Sequence, residues 1–173
     1  VLDDTGSTQI SLQRTLDVGS TSEGCVMNLA SNSLYLAEEA VGIWHYPLDP
    51  VSGNTRRLIA DVADSNLVAD VEGLSIAADG HAGGWLIASS QGDSSFAVYK
   101  LPEHDYLGSF RIDAHLARGI DAVSGTDGIA AAATNVLADY PGGLFVSQDD
   151  TNDPGESQNF KFVAWADILA VIR

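Results

Sequence analysis

The chain is short of positive charge. Lysine and arginine together number 8 against 24 aspartates and glutamates, a formal net charge of −16. Binding a phosphate backbone through side chains needs clustered lysine and arginine, so the composition argues against nucleic acid as a partner and against an anionic membrane surface. Cysteine is nearly absent. The single Cys25 has no internal disulfide partner, and beside an apolar inner segment it is expected to be a small buried residue. The four histidines, His45, His81, His104 and His115, are scattered without ligand spacing, which argues against zinc. No apolar run approaches the roughly 20 residues of a membrane-spanning helix. Neither a Gly-x-Ser-x-Gly elbow nor a phosphate loop occurs, so serine hydrolase and nucleotide-binding chemistry have no support. Val1 is not a natural start residue, and the chain is expected to be a processed or truncated piece.

What is present is a repeat. Hydrophobic residues make up 45% of the 173 residues and charged residues 18%, a globular balance sufficient for one domain. An acid followed by glycine opens "EGCVMNL" at Glu23, "EGLSIAA" at Glu72 and "DGIAAAA" at Asp127. Each opening is followed by turn residues and by a second short run: "LYLAEE" (34–39), "WLIASSQ" (85–91) and "LFVSQDD" (144–150). A third run alternates aromatics: "GIWHYPL", "SFAVYKL" and "NFKFVAW". The first two copies add a fourth, "RRLIADV" and "YLGSFRI", and the third copy has no clear fourth run. Alternation over short runs bounded by Gly, Asn, Asp and Pro favours strands. A period of about 50 residues with four short strands is the pattern of a propeller blade. The expected fold is therefore all-β, with about three antiparallel four-stranded blades over 23–65, 70–113 and 121–173. Residues 8–18 are expected to be the last strand of a preceding blade, and the tail "ADILAVIR" a strand or a terminal helical turn. Three blades leave two open apolar faces, to be covered by further N-terminal blades or by another copy.

The same repeat places acids together. If the copies are equivalent, Glu23, Glu72 and Asp127 form one arc at a channel rim. Glu38, Glu39, Gln91, Asp149 and Asp150 form another beside it. Asp70 lies two residues before Glu72 on the same strand face. Glu38 alternates away from Glu39 and is expected to be a solvated or sheet-face charge. So many carboxylates with so few bases repel one another. Two readings stay open at this point: a plain acidic rim, or sites for a hard cation. An all-oxygen donor set favours calcium among cations. The tryptophans Trp44, Trp85 and Trp165 are expected to pack between blades.

The stretches "SLYLAEEAVGIWHYPLDP", "DVEGLSIAADG", "WLIASSQGDSSFAVYKL", "GTDGI" and "YPGGLFVSQDDTN...QNFKFVAW" resemble the β-propeller phytases from Glu23 to the C-terminus. That resemblance implies a six-bladed propeller of which this chain is the C-terminal half. It implies calcium-dependent hydrolysis of phosphate monoesters of phytate, free or as calcium-phytate, by metal-activated water, with several calcium ions at one end of the channel. By motif match it names Glu23, Glu39, Asp70, Glu72, Gln91 and Asp121 as ligands around the cleavage site. Asp149 and Asn152 fall to a further, structural calcium site. The loop "DAHLARGIDAVSGTDG" departs from the family's acidic, glycine-rich run, which leaves Asp127 as the alternative to Asp121. Family members also hold phosphate with Lys, Arg and Tyr from N-terminal blades, so the isolated chain is expected to be weakly active or inactive. The reading that follows is part of a secreted or periplasmic phytase. Its alternatives are a non-catalytic, calcium-stabilised propeller fragment for binding or assembly, and a phosphatase for other phosphomonoesters.

Overall fold

A computed structural model describes residues 10–152, 155 and 157–172. Among these residues eleven short strands form three antiparallel sheets, and within each sheet every strand pairs with the next in sequence. The first sheet holds β1 (Ser22–Asn28), β2 (Ser33–Glu38), β3 (Gly42–Pro47) and β4 (Arg57–Asp61). The second holds β5 (Val71–Ala78), β6 (Gly84–Ser90), β7 (Ser95–Leu101) and β8 (Asp105–Phe110). The third has β9 (Ile129–Ala132), β10 (Leu144–Asp149) and β11 (Asn159–Ala164), followed by the short helix α1 (Trp165–Val171). The all-β expectation and the sheet count hold, and the sheets do not close on one another. The tail is the helical turn of the two alternatives.

Side-chain alternation puts one face of each sheet against its neighbour. Tyr35, Ala37 and Ile43 of the first sheet meet Leu74, Leu86, Ala88, Ala97 and Tyr99 of the second. Ile87, Phe96 and Val98 on the other face of the second sheet meet Phe145 of the third and Trp165 and Ile168 of α1. Trp165 is 1% exposed and packs edge-on against Trp85 at 5.6 Å, a packing role as expected.

The inner strands β1, β5 and β9 lie side by side, and glycine makes that possible. A Cβ on Gly24 would sit 2.5 Å from the Glu72 carbonyl oxygen and 2.6 Å from the Leu74 nitrogen. One on Gly73 would sit 2.3 Å from the Asp127 carbonyl oxygen. Backbone therefore approaches backbone where the repeat carries its acid–glycine pair. In β1 and β5 the pairing register also shifts there, between Ser22 and Cys25 and between Val71 and Leu74. Such a bulge leaves a residue unpaired and turns its side chain out of the pleat.

Two expectations need correction. Residues 10–18 form no strand; residues 8 and 9 lie outside the described part. The segment is pinned instead by side chains: Arg14 donates to the Pro47 carbonyl at 2.6 Å and Arg56 to the Val18 carbonyl at 2.8 Å. Cys25 is exposed rather than buried. Among the described residues nothing covers that face of β1, where Met27 is also exposed.

At the end of the sheets away from the acids, the first and second sheets are tied by polar groups. Arg57 donates to His104 Nδ1 at 2.8 Å, and His104 Nε2 bonds the Tyr35 hydroxyl at 3.0 Å. His45 reaches Ser33 Oγ at 2.9 Å, and its ring lies 5.4 Å from that of His104. Burial first, then the charges of Arg57 and His45, push the His104 pKa down to about 4, with Glu103 opposing. The unfolded chain takes this proton near pH 6.5, and the folded chain resists until about pH 4. The stabilisation is thus present above pH 6.5 and lost as the pH falls towards 4. His104→Asn, which tolerates the left-handed backbone at this turn (φ 70°), should cost about 1 kcal/mol at pH 7. It should also flatten the stability slope between pH 6.5 and 4 in urea titrations. An unchanged slope would contradict this account of the junction.

Candidate cation site at the acidic rim

Strand pairing sets which positions of the three sheets correspond. Cys25 pairs with Leu36, Leu74 with Ala88, and Ile129 with Ser147. Two residues beyond each partner stand Glu38, Ser90 and Asp149, which are 5%, 1% and 0% exposed. Three residues beyond stand Glu39, Gln91 and Asp150. The backbone confirms this second set: Glu39 N–H donates to Thr21 O, Gln91 N–H to Asp70 O and Asp150 N–H to Ser124 O, at 2.9 to 3.0 Å. Asp150, not Asp149, is therefore the counterpart of Glu39 and Gln91.

The buried set holds loops. Glu38 accepts from Ser20 Oγ at 2.5 Å and Trp44 Nε1 at 2.7 Å. Burial alone would raise its pKa; the donors Ser20 and Trp44 and the Arg56 charge outweigh that and hold it below the usual glutamate value. Of the two alternatives for Glu38, a solvated or a sheet-face charge, the structure shows the second. The residue is an anchor for the segment entering β1. Ser90 bonds both backbone groups of Val68, ahead of β5, and Asp149 accepts from Ser124 N–H at 2.9 Å, ahead of Asp127.

Glu39 and Gln91, both partly exposed, belong to the rim. Carboxylate oxygens of Glu39, Asp70 and Glu72 all lie within 4.8 Å of one another. Val71 N–H donates to the Glu39 carbonyl at 2.9 Å, so β5 carries Asp70 and Glu72 past the end of β2. Burial, then the charges of Glu23, Asp127, Glu39 and Asp70, push the Glu72 pKa up to about 7. The same four acids named by the repeat therefore act on one carboxylate. Gln91 stands at the third sheet's side, its Nε2 donating to Asp127 Oδ1 at 2.7 Å.

The remaining candidates gather elsewhere. Lys161 Nζ lies 2.7 Å from Asp121 Oδ1 and 3.0 Å from Asn152 Oδ1, and also bonds Asp149 Oδ2. Burial lowers the Lys161 pKa; the hydrogen bonds and charges of Asp121 and Asp149 more than reverse this and leave it raised. Asp121, Asn152 and Lys161 form part of the wall of a cavity of about 720 Å³. Asp121 is thus placed with Asp149 and Asn152, whereas Asp127 is the acid that reaches Glu72.

Sequence reasoning passed over Gln148. Its Oε1 accepts from Asp127 N–H at 2.7 Å, and its backbone carbonyl accepts from Thr126 Oγ1 at 2.8 Å. The only signal was its place one residue before Asp149. Lys161 was likewise unassigned, because 40 residues separate it from Asp121.

The donor set at the rim is all oxygen and carries several like charges. Such a set is chemically matched to a hard divalent cation, which would replace repulsion with coordination. Sheets stacked through thinned inner strands, with carboxylates gathered at one end, make an all-β protein consistent with propeller blades, with an acidic group that could hold a metal ion. The chain belongs to the phytase family, whose model matches residues 2–172. It is 36% identical over 159 residues to the 3-phytase of Bacillus subtilis (strain 168), covering 90% of this chain and 41% of that protein. The chain therefore spans about two fifths of that relative's length. Among the described residues no helix is long and apolar enough to cross a membrane.

Removing one like charge should relieve the rim when no cation is supplied. In chelator at pH 8, Glu72→Gln is expected to be more stable than the unaltered chain, on the order of 1–2 kcal/mol after allowance for solvent screening. Urea denaturation measures this, and equal or lower stability would show that the carboxylates do not burden the fold.

Proposed function

We propose that this chain supplies the calcium-binding, C-terminal part of an enzyme that hydrolyses phosphate monoesters of phytate. The observation that carries the reading is the meeting of Glu39, Asp70 and Glu72 within 4.8 Å, in a member of the phytase family. The ligands proposed around the cleavage site are these three with Glu23, Gln91 and Asp127. Oxygen donors without cysteine or histidine favour calcium over zinc. When bound, calcium would lower the pKa of water and offset phosphate charge. The chain's own part is positional. Asp70 and Glu72 are carried to the rim by the start of β5. Glu39 is held there by the backbone bond between its carbonyl and Val71, and Gln91 steadies Asp127 from the neighbouring sheet. Phytate is polyanionic, so an acidic rim without cations would repel it, and substrate arriving as calcium-phytate fits the same electrostatics.

Asp121, Asp149 and Asn152 are proposed for a further, structural calcium site, with the Lys161 ammonium as the competing cation. A secreted or periplasmic setting suits weak oxygen-ligand sites filled by abundant calcium. The isolated chain is proposed to be weakly active or inactive. Of its described bases, Arg14, Arg56, Arg57, Lys100, Arg111 and Lys161 are engaged away from the rim, on Pro47, Trp44, His104, Asp79, Asp93 and Asp121.

The test is phosphate release from phytate, in calcium, by a longer protein that contains this chain. Asp70→Ala with Glu72→Ala should reduce the rate by about 100-fold or more. Equal rates would remove both residues from the site.

A further inference from the structure

Asp127 is held at the rim in a way that Glu23 and Glu72 are not. Glu23 and Glu72 lie inside β1 and β5, and pairing resumes on their rim side, through Ser22 with Glu38 and Val71 with Ser90. In the third sheet pairing stops at Ile129 with Ser147, so Asp127 and Gly128 precede β9. The bonds between sheets differ as well. Val71 N–H donates to the Glu39 carbonyl at the first junction, whereas among the described residues no backbone bond joins Thr126 to Gln91 at the second. A carboxylate outside the ladder, facing like charges, needs another restraint to stay among them.

Gln148 supplies that restraint, because three consecutive residues are tied to it. Thr126 Oγ1 donates to the Gln148 carbonyl at 2.8 Å, and Asp127 N–H donates to Gln148 Oε1 at 2.7 Å. Gln148 N–H in turn donates to the Gly128 carbonyl at 2.9 Å. From the second sheet, Ser89 Oγ donates to the Thr126 carbonyl at 2.8 Å and fixes the same segment from the other side. Ser89, Thr126 and Gln148 are all buried. By register Ala37 stands at the position of Ser89 and Gln148, and Val71 at that of Thr126. Ala37 and Val71 are fully buried too, so apolar residues suffice to pack the first junction and packing alone does not require the polar set at the second. At its free end Asp127 accepts from Gln91 Nε2, and its charge acts on Glu72.

We propose that Gln148 is a positioning residue for calcium at the rim, clamping Thr126, Asp127 and Gly128 so that the Asp127 carboxylate stays beside Gln91 and Glu72. Thr126 is the second half of the clamp. The proposal rests on the calcium reading given above and adds to it a residue that touches neither metal nor substrate. Partners that orient a metal ligand in this way commonly change metal affinity by about 10- to 100-fold.

Calcium titration of the metal-free chain tests it, together with hydrogen exchange of the Asp127 amide in chelator. Gln148→Met keeps the side-chain length and removes the acceptor. The Asp127 amide should then exchange about tenfold faster, and calcium should bind about tenfold more weakly. In an Asp127→Asn background the same substitution should change calcium affinity by less than about twofold, because its effect runs through that carboxylate. A residue that only supports the fold would lower affinity equally in both backgrounds. Thr126→Val should weaken binding in the same direction, and Thr126→Ser, which keeps the hydroxyl, should restore most of that loss; this pair carries the test if Gln148→Met does not fold. Affinity unchanged by Gln148→Met and Thr126→Val while Asp127→Asn weakens it, or equal losses in both backgrounds, would overturn the clamp and leave the calcium site standing. No calcium binding by the unaltered chain, or binding indifferent to Asp127→Asn, would overturn the reading on which the clamp rests, and the clamp with it.

Discussion

The structure depends on how closely its inner strands can approach. Gly24 and Gly73 have no side chain where the neighbouring strand's backbone passes, and any Cβ there would be closer than 3 Å to it. That approach has two consequences at once. It stacks the sheets tightly enough for Tyr35, Ile43, Phe96 and Phe145 to be fully buried between them. It also brings the acid beside each glycine within electrostatic reach of the next acid. The pair is one device: glycine sets the spacing and the acid beside it is turned to the rim.

That device has an electrostatic cost. Burial, and then the charges of Glu23, Asp127, Glu39 and Asp70, raise the Glu72 pKa to about 7. A fold selected only for stability has little reason to gather like charges where a neutral residue would serve. The contrast with the adjacent register positions is instructive. Glu38 and Asp149 are buried, but each has donors and a cation at hand, from Ser20, Trp44 and Arg56 in one case and Ser124 and Lys161 in the other. Charges that serve the fold are satisfied by the fold. Glu39, Asp70 and Glu72 are the group for which an external cation is the natural complement.

Much of this was legible in the sequence because the repeat is regular. Three acid–glycine openings and alternating aromatic runs gave the strands, their order and the convergence on one rim. What escaped were facts of coverage and distance. Alternation gives the parity of Cys25 and Glu38 but not what lies over each face, so Cys25 was assigned the wrong environment and Glu38 was left between two. Equivalence of Asp149 with Glu39 failed by one residue, and only the strand pairing reveals it. The Lys161 cluster joins residues far apart in sequence, and no local pattern announces it. The choice between Asp121 and Asp127 at the Glu72 cluster likewise needed three dimensions.

The central claim is that the rim formed by Glu39, Asp70 and Glu72 is a calcium site. Isothermal titration of calcium into the metal-free chain tests it most directly. The account predicts saturable binding that weakens by at least about tenfold, or 1.4 kcal/mol, in Asp70→Asn and in Glu72→Gln. Absence of binding, or binding unchanged by both substitutions, would contradict it.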